Sequence, residues 1–211
     1  MFTKMYLKVP AILTALLVFG PIGTASGQQG PSVRAETVVE RFHGTLLQAM
    51  TEGPELGYEG RRALLDPVVR EGFDLSLMTV LMVGPAAWEG IPGATQKAIV
   101  DAFSAWTIAT YAAQFAAHEG EQFVLLGAEP APRDTLLVKT QMLLVGEDPI
   151  AFDYRLSSRT GSWRIIDIYL EGAISQLALR RSEFSSILKR SGPEGLAARL
   201  EEKRARLEKQ G

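Results

Sequence analysis

The chain contains no cysteine. It therefore forms no disulfide, offers no thiolate as nucleophile or metal ligand, and has no residue for an N-terminal lipid anchor. Histidine is almost as scarce, with only His43 and His118. Neither stands near a carboxylate at ligand spacing, so no metal centre is expected, and both read as structural or solvent-exposed residues. There is no Gly-x-Ser-x-Gly elbow, no phosphate-cradling glycine loop and no His-Glu-x-x-His. Nothing at this level points to a catalytic residue or a cofactor. Neither charge sign dominates: 22 Lys and Arg face 24 Asp and Glu, a formal net charge of −2. That balance argues against a nucleic-acid partner, which would favour a basic face. No segment after the N-terminus reaches ~18 uninterrupted apolar residues, the length a membrane-spanning helix needs.

What the chain does have begins at its N-terminus. Lys4 and Lys8 precede an apolar run over 9–19, interrupted only by Pro10 and Thr14. Small residues follow, including Gly23, Ala25, Ser26 and Gly27. A run of about 11 residues spans only ~16 Å as a helix, short of a ~30 Å hydrocarbon slab. The pattern predicts a cleaved export signal over 1–27; the alternative is a short anchor or a buried helix. Cleavage near Ala25 or Gly27 would leave a soluble domain of about 185 residues. Loss of the two lysines lowers its formal charge from −2 to −4. A disulfide-free exported protein of this size suggests a bacterial periplasm.

Helical spacing then predicts a helix over 32–51 with Ser32 as N-cap and Val38, Val39, Phe42, Leu46 and Met50 inward. A second helix is expected over 58–70, and a short apolar one over 75–83 capped by Asp74. The stretch 84–93, which contains Trp88, reads as a loop, and the longest helix follows over 95–118. After Gly120 the apolar period changes from 3.6 to 2. Strands are predicted over 123–126, 135–145, 151–157 and 163–170, joined by short turn-rich connectors that suit an antiparallel meander. A helix over 174–189, a break at Gly192-Pro193 and a charged closing helix complete the pattern. The fold class is α+β. One domain over 28–207 is expected, with a helical part over 32–118, a sheet over 121–171 and C-terminal helices over 173–209.

Asp153, Tyr154, Asp167 and Tyr169 fall on adjacent strands. In a concave apolar pocket a carboxyl and a phenol can move protons on a hydrophobic substrate, as an isomerase or hydratase would. Alternation favours instead a pairing of either Asp with Arg155, Arg164 or Lys139 on a wet face. The apolar residues fill a core by default, and periodicity does not separate a solid core from a hollow one. A purely structural envelope protein therefore remains a third reading. The alternating charges from Arg199 to Lys209 suit a solvated helix.

The stretch Gly161-Ser162-Trp163-Arg164-Ile165-Ile166-Asp167-Ile168-Tyr169-Leu170-Glu171-Gly172-Ala173-Ile174-Ser175 resembles the G-x-W…D…E-G-x-S segment of the MlaC/toluene-tolerance family of periplasmic lipid-binding proteins. Phe103 followed by Tyr111-Ala112 is similar to that family's helix before the sheet, and Arg181-Ser182-Glu183-Phe184 to its Arg-x-x-Phe helix. The resemblance runs over about 38–203. The lengthened Glu171-Gly172-Ala173-Ile174-Ser175 and the Leu179-Arg180-Arg181 string look more like the hopanoid-associated branch, HpnM. So do Val39-Glu40-Arg41-Phe42-His43 and Gly57-Tyr58-Glu59-Gly60-Arg61.

The resemblance implies a curved antiparallel four-stranded sheet, a nuclear-transport-factor-2-like core with a helical subdomain, enclosing an apolar lipid cavity without catalysis. It implies a periplasmic carrier of hopanoid, or alternatively phospholipid, with an inner-membrane partner of RND type or an MCE-domain ABC complex. Alternation and resemblance together place Met78, Leu81, Met82, Phe103, Trp106, Phe115, Val138, Phe152, Tyr154, Ile166 and Ile168 on the cavity wall. Tyr111, Ser175 and Arg181 are expected at its mouth.

Overall fold

The computed structural model describes residues 30–210, so the expected signal over 1–27 and the expected domain start at residue 28 lie outside the described residues. Helix α1 (Pro31–Thr51) buries Val39, Phe42, His43, Leu46 and Met50 along one stripe. Its N-cap is Gly30, with Pro31 in the first turn and no capping side chain. Ser32 therefore lies inside the helix: proline at the first position fixes φ and needs no N–H partner, so the start moves upstream of the serine.

Helix α2 (Gly53–Gly72) begins two residues after α1 ends and bends at Gly57, whose φ of 59° only glycine adopts freely. The second helix thus starts at Gly53-Pro54, ahead of the expected residue 58. Buried Arg61 locks this corner, donating from Nε to Ala112 O at 2.8 Å and from Nη1 to Gly53 O at 3.0 Å. Helix α3 (Leu75–Val83) starts at Asp74, whose side chain accepts from Leu77 N at 2.9 Å, as the sequence predicts. The expected loop after it contains a short helix, α4 (Pro85–Glu89), and α5 (Gly93–Gln114) stops short of His118.

The sheet is an antiparallel meander in the order β1-β2-β3-β4-β5. Its strands are β1 (Gln122–Ala131), β2 (Thr135–Leu143), β3 (Ile150–Ser157), β4 (Arg164–Leu170) and the two-residue β5 (Ile174–Ser175). A fifth strand thus joins the expected four, because the chain after Gly172 turns back onto β4 before it enters the last helix. Ala128, Val138, Tyr154 and Ile168 form one cross-strand row, and Leu136, Leu156 and Ile165 another. Register shifts after Leu125 in β1 and after Arg155 in β3 curve the ladder, since a bulge adds twist and bends its strand.

Helix α6 (Gln176–Gln210) bends at Gly192, φ 68°, where Pro193 follows. Its charged end carries the pairs Arg199–Glu202, Arg204–Glu201 and Arg204–Glu208. Leu196 and Leu200 nevertheless point inward and are fully buried, so only one face of that segment is wet. The main core lies between the helices and the inner sheet face, with Phe42 packing edge-on to Phe73 and Tyr111 at 5.0 Å each. Among the described residues no helix is long and apolar enough to cross a membrane.

Candidate functional site

Helical spacing builds one wall of a pocket of about 140 Å³ where α3, α5 and α6 meet the β3–β4 edge of the sheet. Phe103, Thr107, Thr110, Tyr111 and Gln114 recur every three or four residues and so share one face of α5. Met78 and Met82, four apart on α3, stand beside them. Phe152 and Leu170, cross-strand partners, form the sheet side together with Ile168 and Asp167. Gln176, Leu177 and Arg180 from the first turns of α6 close the rim. Met78, Met82, Phe103, Phe152, Ile168, Leu170 and Leu177 supply the apolar lining, and Thr107, Thr110, Asp167, Gln114, Gln176 and Arg180 set polar groups among them, with Gln114 at the exposed end.

Both candidate acids are committed to structure. Asp167 accepts from its own strand at Ile168 N (2.8 Å), from Ser175 Oγ (2.6 Å) and from Leu177 N (3.0 Å). It therefore caps α6 from across the β4–β5 turn. Asp153 accepts from Thr140 N at 3.1 Å and pairs with Lys139 at 3.3 Å. At this point β2 and β3 are joined through side chains, since the Thr140 hydroxyl also donates to Phe152 O. Lys139 was among the partners alternation offered, but the Asp153 side chain is buried, not on a wet face. The Tyr154 hydroxyl lies 2.9 Å from His43 Nε2, and the imidazole stacks on Phe123 at 4.0 Å. Burial pulls the His43 pKa from 6.5 down to about 4 and pushes the Tyr154 and Tyr111 hydroxyls above their ordinary values. All three side chains are neutral near pH 7. Among the described residues no group of three or more His, Asp or Glu side chains is placed to hold a metal ion.

The structure brings Met78, Met82, Phe103, Phe152 and Ile168 together on the pocket wall, joined by Tyr111 from the expected mouth. The other expected residues lie elsewhere. Leu81 turns away on α3 and is half-buried. Trp106 packs against Phe184 at 6.1 Å, outside the pocket. Phe115 is the C-cap of α5 and lies against Tyr111 at 6.1 Å. Val138 and Tyr154 are solid core, both fully buried. Ile166 sits at the β4 bulge, where the register shift takes it off the row that Ile168 occupies. Ser175 spends its hydroxyl on Asp167. Arg181 is exposed, while its neighbour Arg180 takes the rim position.

The polar lining residues Thr107, Thr110, Gln114 and Gln176 have no apolar signature. Extending the Phe103–Tyr111 face by helical steps is the signal that finds the three on α5.

A family model described as "MlaC protein" matches residues 40–202. Among solved structures, the phospholipid-binding protein from Ralstonia solanacearum, determined in complex with a phospholipid, aligns with a TM-score of 0.71 at 24% sequence identity. The alignment covers 82% of this chain and 98% of that one, and at this identity it shows a shared fold. No curated protein sequence matches significantly.

Proposed function

We propose that this chain, which belongs to the MlaC family, is a periplasmic lipid-binding carrier that shields an apolar lipid in the pocket between α5, α6 and the sheet. The observation that carries this reading is the pocket itself: an apolar wall with polar groups set into it, and both candidate acids held in hydrogen bonds. Ligand sites of this kind are apolar with a few placed polar groups. The same pocket speaks against a purely structural role. The hydrogen bonds on Asp153 and Asp167 speak against acid–base chemistry.

Water makes a carrier necessary. At ~0.8 kcal/mol for each CH₂, a C₃₀ lipid free in water lies on the order of 20 kcal/mol above its buried state. Spontaneous crossing between two membranes is then negligible. Hopanoid is the cargo that the Leu179-Arg180-Arg181 and Glu171-to-Ser175 strings support, carried between inner and outer membranes with an RND-type inner-membrane partner. Phospholipid, delivered to or from an MCE-domain ABC complex, is a second reading, favoured by the phospholipid in the Ralstonia solanacearum structure.

Native mass spectrometry of the protein purified from a periplasm, followed by lipid extraction, tests the proposal. A stoichiometric co-purifying lipid is expected, and its class separates the two cargos. No bound lipid, together with no uptake from vesicles of either class, would sink the carrier reading.

A further inference from the structure

One cation at the pocket is bonded to no carboxylate among the described residues. Arg180 lines the rim with its guanidinium carbon 4.1 Å from the centre of the Trp106 ring. The acids near it are already engaged. Glu183, on the same helix, pairs with Lys203 at 2.6 Å. Asp167, across the pocket, holds Ser175 Oγ, Leu177 N and Ile168 N. Among the described residues Arg180 makes no ion pair and donates no hydrogen bond. The site is nonetheless drawn out of water, for burial lowers the Arg180 pKa below its ordinary value. An arginine stays cationic even so. A partly desolvated cation without an anion is costly, and this one cannot neutralise itself.

The same pocket holds further donors. Thr107, Gln114 and Gln176 line it with Arg180, and their side-chain donors have no partner among the described residues. A planar guanidinium held against an indole face, in a pocket that also presents amides and a hydroxyl, is the chemistry that grips a phosphate or carboxylate. An uncharged polycyclic head would leave the cation as unsatisfied as it is in the empty pocket.

We infer that Arg180 is the head-group anchor of the pocket and that the cargo is a lipid with an anionic head, its phosphate or carboxylate seated on Arg180 and its tail among Met78, Met82 and Phe103. This rests on the lipid-carrier reading and narrows it. Either proposed lipid class qualifies only in an acidic form.

The test compares two lipids with the same acyl chains, phosphatidylglycerol and the uncharged diacylglycerol, in competition for the purified protein. Wild type is expected to prefer phosphatidylglycerol by about tenfold or more, equivalent to ~1.4 kcal/mol. Arg180→Gln is expected to lose that preference, and Arg180→Lys to keep part of it. Inorganic phosphate alone should give no saturable heat by calorimetry, because it brings no tail to the apolar wall. Equal binding of the two lipids by wild type overturns the inference and leaves the carrier reading standing. An undiminished preference in Arg180→Gln removes Arg180 as the anchor. Saturable phosphate binding without lipid preference makes this a free-anion site and overturns the assignment to a lipid head. Uptake of neither lipid overturns both readings. The wild-type comparison needs no variant, so misfolding of either substitution leaves the test decisive.

Discussion

His43 makes the stability of this fold depend on pH in a direction and by an amount that can be worked out. Its side chain is buried on α1, with the residue 6% exposed, between Phe123 and the Tyr154 hydroxyl. Burial lowers its pKa from 6.5 to about 4. The unfolded chain therefore takes up a proton below about pH 6.5 that the folded chain refuses until about pH 4. Stability from the neutral histidine is fully present above that upper value and is lost as the pH falls. At ~1.4 kcal/mol for each pH unit the limiting loss is ~3 kcal/mol. Between pH 7 and pH 5 about 2 kcal/mol of it is reached. Tyr154 does not titrate in this range, since burial moves its pKa upward.

The assay is urea unfolding of wild type and His43→Gln at pH 7 and pH 5. Glutamine retains an amide that can meet Tyr154 and does not titrate. The other groups titrate alike in both proteins, so the difference isolates His43. Wild type should lose ~2 kcal/mol more than the variant on acidification. Equal losses would show that the imidazole is solvated or that the unfolded chain holds it in the same environment, and would refute the reasoning.

Other positions give sharper structural tests. Arg61→Met removes the donors to Ala112 O and Gly53 O; leaving two buried carbonyls unpaired should cost ~3 kcal/mol, read as a fall of ~10 °C in Tm. Two glycines should respond in opposite directions in thermal melts. A Cβ at Gly53 would collide with the Ala116 carbonyl, so Gly53→Ala should destabilise by ~2 kcal/mol or more. A Cβ at exposed, helical Gly44 meets nothing within 4 Å, so Gly44→Ala should stabilise by ~0.5–1 kcal/mol. Thr107→Trp places an indole in the pocket and should reduce lipid uptake from vesicles by about tenfold or more with little change in Tm. Undiminished uptake would move the lipid elsewhere.

The sequence made the class of fold legible because the two periods are clean: Val39, Phe42, Leu46 and Met50 at helical spacing, then Phe152, Tyr154 and Leu156 in alternation. It misled where a backbone event breaks the period. Ile166 looks like the twin of Ile168, but the β4 bulge inserts a residue between them and the paired row, and no side-chain pattern announces a bulge. Val138 and Tyr154 share the inner face with Ile168, yet α1 covers them through Phe42 and His43 while the sheet edge stays open beside α6. Alternation tells which face a residue is on, not how far along the sheet the helices reach. Arg180 and Arg181 are one residue, about 100° of helix, apart. Only the packing of α6 on Trp106 decides which of them faces the pocket.

The size of the pocket bears on how such a carrier can let go. At about 140 Å³ it is smaller than the ~300–1,000 Å³ of ordinary ligand sites. A void of ~150 Å³ admits little more than a single ring. The reason to stay contracted is energetic. At ~24 cal/mol per Å³, an empty cavity of ~500 Å³ would cost ~12 kcal/mol, as much as the whole stability of a typical domain. Expansion has a natural route, for Met78 and Met82 are unbranched and adaptable, whereas the sheet wall is pinned by its ladder. A rigid open cavity would also regain its full cost on filling and hold the lipid tighter by that amount. A collapsing one closes behind the departing tail instead, so that cost does not oppose release. For the proposed carrier, which would have to give its cargo up, the softness of the methionine wall is as necessary as its hydrophobicity.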